Sequence, residues 1–206
     1  MKILAIGSHP DDIEVGCGGT LKKYADKGHE IYLLVMTEGE QGGDRSVRIS
    51  EQGKAAEIVG AKKVFWGGLE DTKIDSDLST IKKIESIIKE IEPVFIFTHY
   101  FNDTHQDHRH LNNAVISAAR YTKNVLFYEG PTTQDFRPSI FSDIDKLIDV
   151  KTSLVKAHES QVLRTNIAGI SIEEIVLSTA NFRGTQGRVK YAEAFVPLRV
   201  FININE

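Results

Sequence analysis

The sequence predicts an α/β fold: a mostly parallel sheet with helices on both faces, built as a single domain over residues 1–206. Three observations predict it. Short apolar runs recur at 3–7, 30–36 and 94–98, each with the look of a buried strand. Stretches with helical spacing lie between such runs, and this alternation calls for right-handed βαβ crossovers and therefore parallel strands. The length of 206 residues suits one core, and no repeat, low-complexity tract or linker divides it.

In chain order, residues 3–7 read as a strand ending at Gly7-Ser8. Gly16-Cys17-Gly18-Gly19-Thr20 leads into a helical pattern over 21–27. A second strand over 30–36 is followed by a polar, glycine-rich loop at 37–44. A helix over 46–59 is stopped by Gly60, a natural C-cap residue. The third strand, 63–66, ends at Gly67-Gly68, and 71–77 is loop. Ser79 caps an amphipathic helix carrying Ile81, Ile84, Ile87, Ile88 and Ile91, which Glu92-Pro93 closes. The run 94–98 is the clearest buried strand; a helix over 111–121 and a fifth strand over 125–128 follow. Past Gly130 the pattern changes: a strand at 140–144, helices at 147–161 and 172–182, and a last strand at 195–202.

Composition narrows the function classes. Apolar residues make up 41% and charged residues 26%, as in ordinary globular proteins. A net charge of −4 gives no support to a nucleic-acid or anionic-membrane partner. No window approaches the ~18 apolar residues of a membrane span, and the N-terminus does not read as a secretory signal. The single cysteine, Cys17, allows no internal disulfide, which fits a reducing cytoplasm. Lying between glycines with no adjacent base, it reads as a small packing residue.

The chemistry is concentrated in two stretches. The first apolar run opens onto His9-Pro10-Asp11-Asp12, and the fourth onto a segment from His99 to His110 that holds four histidines. Open α/β sheets place their sites at the carboxyl ends of strands, so both clusters should converge on one edge. Pro10 restricts the loop and biases His9 toward extended geometry. His9, Asp12 and His108 as ligands leave a position open, as catalytic zinc sites do. Such an ion lowers the pKa of a bound water to about 7. Asp11, uncoordinated beside that water, suits a general base. His105 suits stabilisation of an oxyanion or protonation of a leaving amine. Asp107 fits as the partner of a ligand histidine's second nitrogen. Asp103 fits that role or contact with substrate hydroxyls. His99 reads as a core histidine and His110 as exposed. Taken alone, the first cluster also reads as a capped helix start, with Asp11 or Asp12 as N-cap.

The chain resembles the LmbE/PIG-L family of zinc-dependent N-acetylglucosaminyl deacetylases. The resemblance is carried by His9-Pro10-Asp11-Asp12-x-Glu14, Gly16-x-Gly18-Gly19-Thr20, Thr37-x-Gly39-x-x-Gly42 and Arg48-x-x-Glu51. It continues with His105-x-Asp107-His108, His158-x-Ser160-Gln161, Arg183-Gly184 and Tyr191-Ala192-Glu193-Ala194-Phe195. It implies a Rossmann-like sheet and hydrolysis of the N-acetyl group of a GlcNAc-containing small molecule. It implies metal ligation by His9, Asp12 and His108, with Asp11 as base and His105 polarising the carbonyl. It also implies substrate contact by an arginine, for which Arg48 is the best match and Arg45 the next, and a homo-oligomeric state. The N/O ligand set accepts Zn²⁺ and also Fe²⁺. The segments 70–79 and 130–137 match no substrate signature.

The remaining features are weaker. The glycines after Gly16 lack the spacing of a dinucleotide loop and no Gly-Lys-Ser/Thr follows. Glu38 and Glu40 read as solvated. His158 and Gln161 fit either support of the site or packing, and Glu193 reads as structural. Two other function classes stay open on the residues: a metallohydrolase of phosphoesters or other amides, and a Rossmann-type sugar- or nucleotide-binding module without turnover.

Overall fold

A computed structural model describes residues 1–165 and 167–202. Seven strands form one sheet: β1 (Lys2–Gly7), β2 (Glu30–Val35), β3 (Ala61–Trp66), β4 (Phe95–His99), β5 (Asn124–Tyr128), β6 (Ile140–Asp143) and β7 (Ala192–Arg199). Their order across the sheet is β3-β2-β1-β4-β5-β7-β6. The pairs from β3 to β5 are parallel, whereas β7 runs antiparallel to both β5 and β6. The change of pattern past Gly130 is therefore a change of strand direction.

The sheet is buried on both faces, as the apolar runs require. Side chains alternate across β1: Ile3 and Ala5 join the core under α1 (Asp12–Ala25), α2 (Arg45–Val59) and α5 (Ile148–Lys156). Leu4 and Ile6 join the opposite core under α3 (Leu78–Ile91) and α4 (Gln106–Ala118). A sixth helix, α6 (Ile172–Gly187), packs beside β7 and opens with a Ser171–Glu174 capping box.

Several elements differ from the sequence reading. Helix α1 starts at Asp12 rather than near Leu21, so Gly16, Gly18 and Gly19 are inside it. Packing overrides their low helix propensity: a Cβ on Gly16 would lie 2.1 Å from the Tyr128 ring. Helix α3 is capped by Asp77, whose carboxylate accepts from the Thr80 amide, and not by Ser79. The expected helix over 147–161 ends at Lys156, and residues Glu159–Gln161 form a separate 3₁₀ turn. His158 sits at that break. The last strand occupies Ala192–Arg199 rather than 195–202.

Among the described residues, no helix is long and apolar enough to cross a membrane. β1 and β4 are neighbours in the sheet, with Ile3 opposite Phe95 and Ala5 opposite Phe97. From β1 the chain winds one way to β2 and β3; with β4 it restarts on the other side. That reversal leaves a crevice beyond the carboxyl ends of β1 and β4.

Candidate metal centre

His9 and His99 both follow from where these two strands stop. β1 ends at Gly7, the Ser8 amide donates to His99 Nε2 at 3.1 Å, and His99 is the last residue of β4. Between His9 and the start of α1, Asp11 takes φ +97°, a left-handed conformation unusual for a residue with a side chain. Asp11 occupies the N-cap position, but its carboxylate accepts no helix amide. The capped-helix reading thus holds for the position of Asp11 but not for its side chain, which caps no helix amide. Asp12 instead reaches back and accepts from the His9 amide at 2.7 Å.

The second stretch arrives from β4. His105 opens α4, and its Nδ1 accepts from the Asp107 amide at 3.2 Å. His108, in the first turn of α4, reaches Asp12 at the start of α1. The result is a convergence on the Asp12 carboxylate. His9 Nδ1 lies 3.3 Å from Asp12 Oδ2, and His108 Nε2 lies 3.3 Å from Asp12 Oδ1. His9, Asp12 and His108 each offer one ligand atom within 4.8 Å of the others. A second grouping, His9, His105 and Asp107, shares His9 with the first. His99 stacks on His108 with ring centroids 3.9 Å apart and forms the floor.

Each histidine of this candidate ligand set has a carboxylate behind it. His9 Nε2 lies 3.1 Å from Asp107 Oδ2 and 2.9 Å from Asp71 Oδ1. His108 Nδ1 lies 3.2 Å from Asp103 Oδ2, close enough for charge attraction but off the hydrogen-bond line. A carboxylate on the far nitrogen is the usual support of a metal-bound imidazole, because it fixes ring orientation and raises basicity. Burial alone would push His108 down, yet Asp12 and Asp103 raise it to about 9. The same contest, won by Asp107, Asp12 and Asp71, holds His9 well above the usual histidine range. Burial favours the acid form of Asp12, but His108 and His99 hold it well below the carboxylate range. His99, buried and beside His108, falls to about 4.

The charge balance also favours a cation. Asp11, Asp12, Asp71, Asp103 and Asp107 crowd the imidazoles, and Arg48 is the only guanidinium paired with any of them among the described residues. A buried excess of carboxylates is unfavourable unless positive charge offsets it. Two nitrogens and a carboxylate oxygen, with room for further ligands on the cleft side, fit a divalent ion of the zinc or ferrous type.

Comparison with known proteins places the chain in a family. The model of the PIG-L family, described as GlcNAc-PI de-N-acetylase, matches residues 4–119. The chain belongs to the PIG-L family. The Escherichia coli deacetylase YaiS is 36% identical over 167 residues, spanning 77% of this chain and 90% of that protein. The diacetylchitobiose deacetylase of Thermococcus kodakarensis is 29% identical over 188 residues, 78% of this chain and 70% of that one. The solved structure of N,N'-diacetylchitobiose deacetylase from Pyrococcus horikoshii superposes with a TM-score of 0.84 at 25% identity, covering 96% of this chain and 83% of that chain.

Around the PIG-L core, the structure distributes the other residues singled out in the sequence. Arg48 is 3% exposed, yet it lines the cleft. Its Nη2 donates to the Pro10 carbonyl at 2.7 Å, and its Nη1 lies 3.5 Å from Asp11 Oδ2. Gly39, with φ +68°, lets that guanidinium pass, since a Cβ there would lie 2.8 Å from Arg48 Nε. Arg45 is on the surface, paired with Glu38. Asp103 is buried behind His108, its carboxylate taken by the His105 amide and the Thr133 hydroxyl, and it does not line the cleft. His110 is half-buried rather than exposed, with Nδ1 2.6 Å from the Ile74 carbonyl. Glu193 accepts from the Gly19 and Thr20 amides and from buried Lys151. It anchors α1 from below.

Two contributors escaped the sequence reading. Asp71 belongs to a stretch read only as loop, but it is 5% exposed and touches His9. The Gln41 amide donates to it at 3.0 Å, which ties it to the glycine-rich loop. Gln52 donates to Glu14 Oε1 at 2.7 Å and accepts from the Asp11 amide. The only signal for Asp71 was an acidic residue following the third strand; for Gln52, its place one turn beyond Arg48.

Proposed function

We propose that this protein hydrolyses the N-acetyl group of a GlcNAc-containing small molecule, releasing acetate and a free amine. The observation that carries the reading is the meeting of His9 and His108, 99 residues apart in sequence, on the two oxygens of Asp12, with Asp11 beside them. Named relatives that act on diacetylchitobiose support the substrate class.

In this reading His9, Asp12 and His108 hold a divalent cation. When bound, it supplies a water of lowered pKa and polarises the amide carbonyl. Asp11 takes the proton from the attacking water. Loss of solvent raises its pKa to about 6, against the pull of Arg48, so the carboxylate is a stronger base than a surface aspartate while remaining ionised at neutral pH. Arg48 keeps Asp11 aimed into the cleft. His105 lies beside His9, ring centroids 4.8 Å apart, and faces the cleft, where it meets the negative charge that develops on the carbonyl oxygen. Asp103 and Asp107 orient the ligand histidines. Asp103 acts through His108 in this scheme and not on the substrate.

The test is direct. Protein loaded with Zn²⁺ releases acetate from N-acetylglucosamine or N,N'-diacetylchitobiose, and a chelator abolishes the release. A metal-loaded protein that releases none from any GlcNAc derivative overturns the reading.

A further inference from the structure

His158 is a buried titratable side chain on the cleft wall that the scheme above leaves idle. It is 1% exposed, lines the same cleft as Asp11 and Arg48, and neither ring nitrogen has a hydrogen-bond partner among the described residues. An imidazole in that condition costs free energy unless a partner arrives. The surroundings form a thread. The Asp11 amide donates to Gln52 Oε1, Gln52 Nε2 donates to Glu14 Oε1, and Glu14 Oε2 lies 3.5 Å from His158 Nε2. Glu14 is itself 1% exposed, and that Oε2 has no other partner. One nitrogen of His158, Nε2, therefore faces a buried carboxylate, and Nδ1 has no partner among the described residues. A carboxylate behind an imidazole stabilises its protonated form and fixes its orientation.

Resting on the deacetylase reading, we propose that His158, backed by Glu14, is a second acid–base residue of the site and delivers the proton that lets the amine leave. Water adds to the amide carbon and gives one proton to Asp11. As the adduct collapses, the C–N bond breaks and its electron pair goes to nitrogen. His158 donates a proton to that nitrogen. The resulting carboxylic acid ionises and its proton restores His158, while the proton on Asp11 completes the ammonium. The sum is amide plus water giving carboxylate and ammonium. His105 is then left to the oxyanion, from the α4 side, while His158 works from the break after α5. The charged groups facing His158 are Glu14 on α1, Asp11 before it, and Arg48 on α2. Glu14 and Asp11 favour its protonated form against burial, and Arg48 opposes it.

The experiment compares leaving groups. His158→Gln and Glu14→Gln are assayed, with the parent, on N,N'-diacetylchitobiose and on 4-nitrophenyl acetate, whose phenoxide departs without a proton. Metal content and melting temperature are measured alongside. A proton donor predicts that His158→Gln loses about 10²-fold or more on the amide and less than about 3-fold on the ester, with metal content unchanged. Glu14→Gln should show the same selectivity and stands in if the first variant fails to fold. Equal losses on both substrates, or none on either, overturn the proposal and leave His158 a packing residue. A parent protein that binds metal and cleaves neither diacetylchitobiose nor N-acetylglucosamine overturns instead the deacetylase reading on which it rests.

Discussion

At the scale of single residues, the proposed mechanism separates holding a metal from using it, although Asp11 and Asp12 are adjacent in sequence. Asp11→Asn should keep full metal content and lose turnover, because the amide keeps the shape and the αL tolerance of Asp but not its basicity. His108→Ala should lose the metal itself. Metal analysis beside acetate release distinguishes the two; equal metal content would show that the roles are misassigned. Asp103→Asn should weaken metal affinity by about 10–100-fold, the usual effect of removing a carboxylate behind a ligand histidine. A competition titration with a chromophoric chelator reads that shift. If Asp103 bound substrate instead, KM would rise with metal affinity unchanged. The meeting of His9, Asp12 and His108 was legible in the sequence because both clusters directly follow apolar strands. Asp71 was not, because its approach to His9 depends on how the loop after β3 crosses the crevice, and no spacing rule fixes that.

At the scale of elements, α1 shows where local rules misled. Three glycines in four residues argue against a helix, and the sequence pattern delayed the helix to Leu21. The structure starts it at Asp12 because β5 needs the space: Tyr128 lies flat against Gly16 and donates its hydroxyl to the Ile6 carbonyl at 2.9 Å. Gly16→Ala should cost about 1–3 kcal/mol or more by overpacking. It should also lower metal affinity, since Gly16 is one turn from Asp12; a urea melt and a metal titration would show both. Below α1, Lys151 donates to the Glu14 and Val15 carbonyls at 2.8 and 2.6 Å as well as to Glu193. Both side chains of that pair are nearly solvent-free. Lys151→Met leaves Glu193 buried without its counter-charge and should cost about 3–5 kcal/mol in a denaturant titration. The break that isolates His158 was invisible for a related reason: 147–161 keeps helical spacing, and only the contacts of Glu51 with Ser160 show why the chain turns there.

At the scale of the whole molecule, the parallel half of the fold was legible and the antiparallel half was not. Strand–helix alternation specifies β1 to β5, because a parallel pair needs a crossover helix. Nothing comparable states that the last strand inserts between β5 and β6. Its position has a consequence for the order in which the protein comes off the ribosome. The proposed metal-binding corner is encoded within the first 108 residues, yet the β5 edge and the Glu193 support beneath α1 wait for residues 192–199. A chain cut after residue 190 should expose the unpaired flank of β5 and self-associate, which light scattering would detect. Synthesis thus writes the candidate site early, and β7 later locks it into a rigid shape.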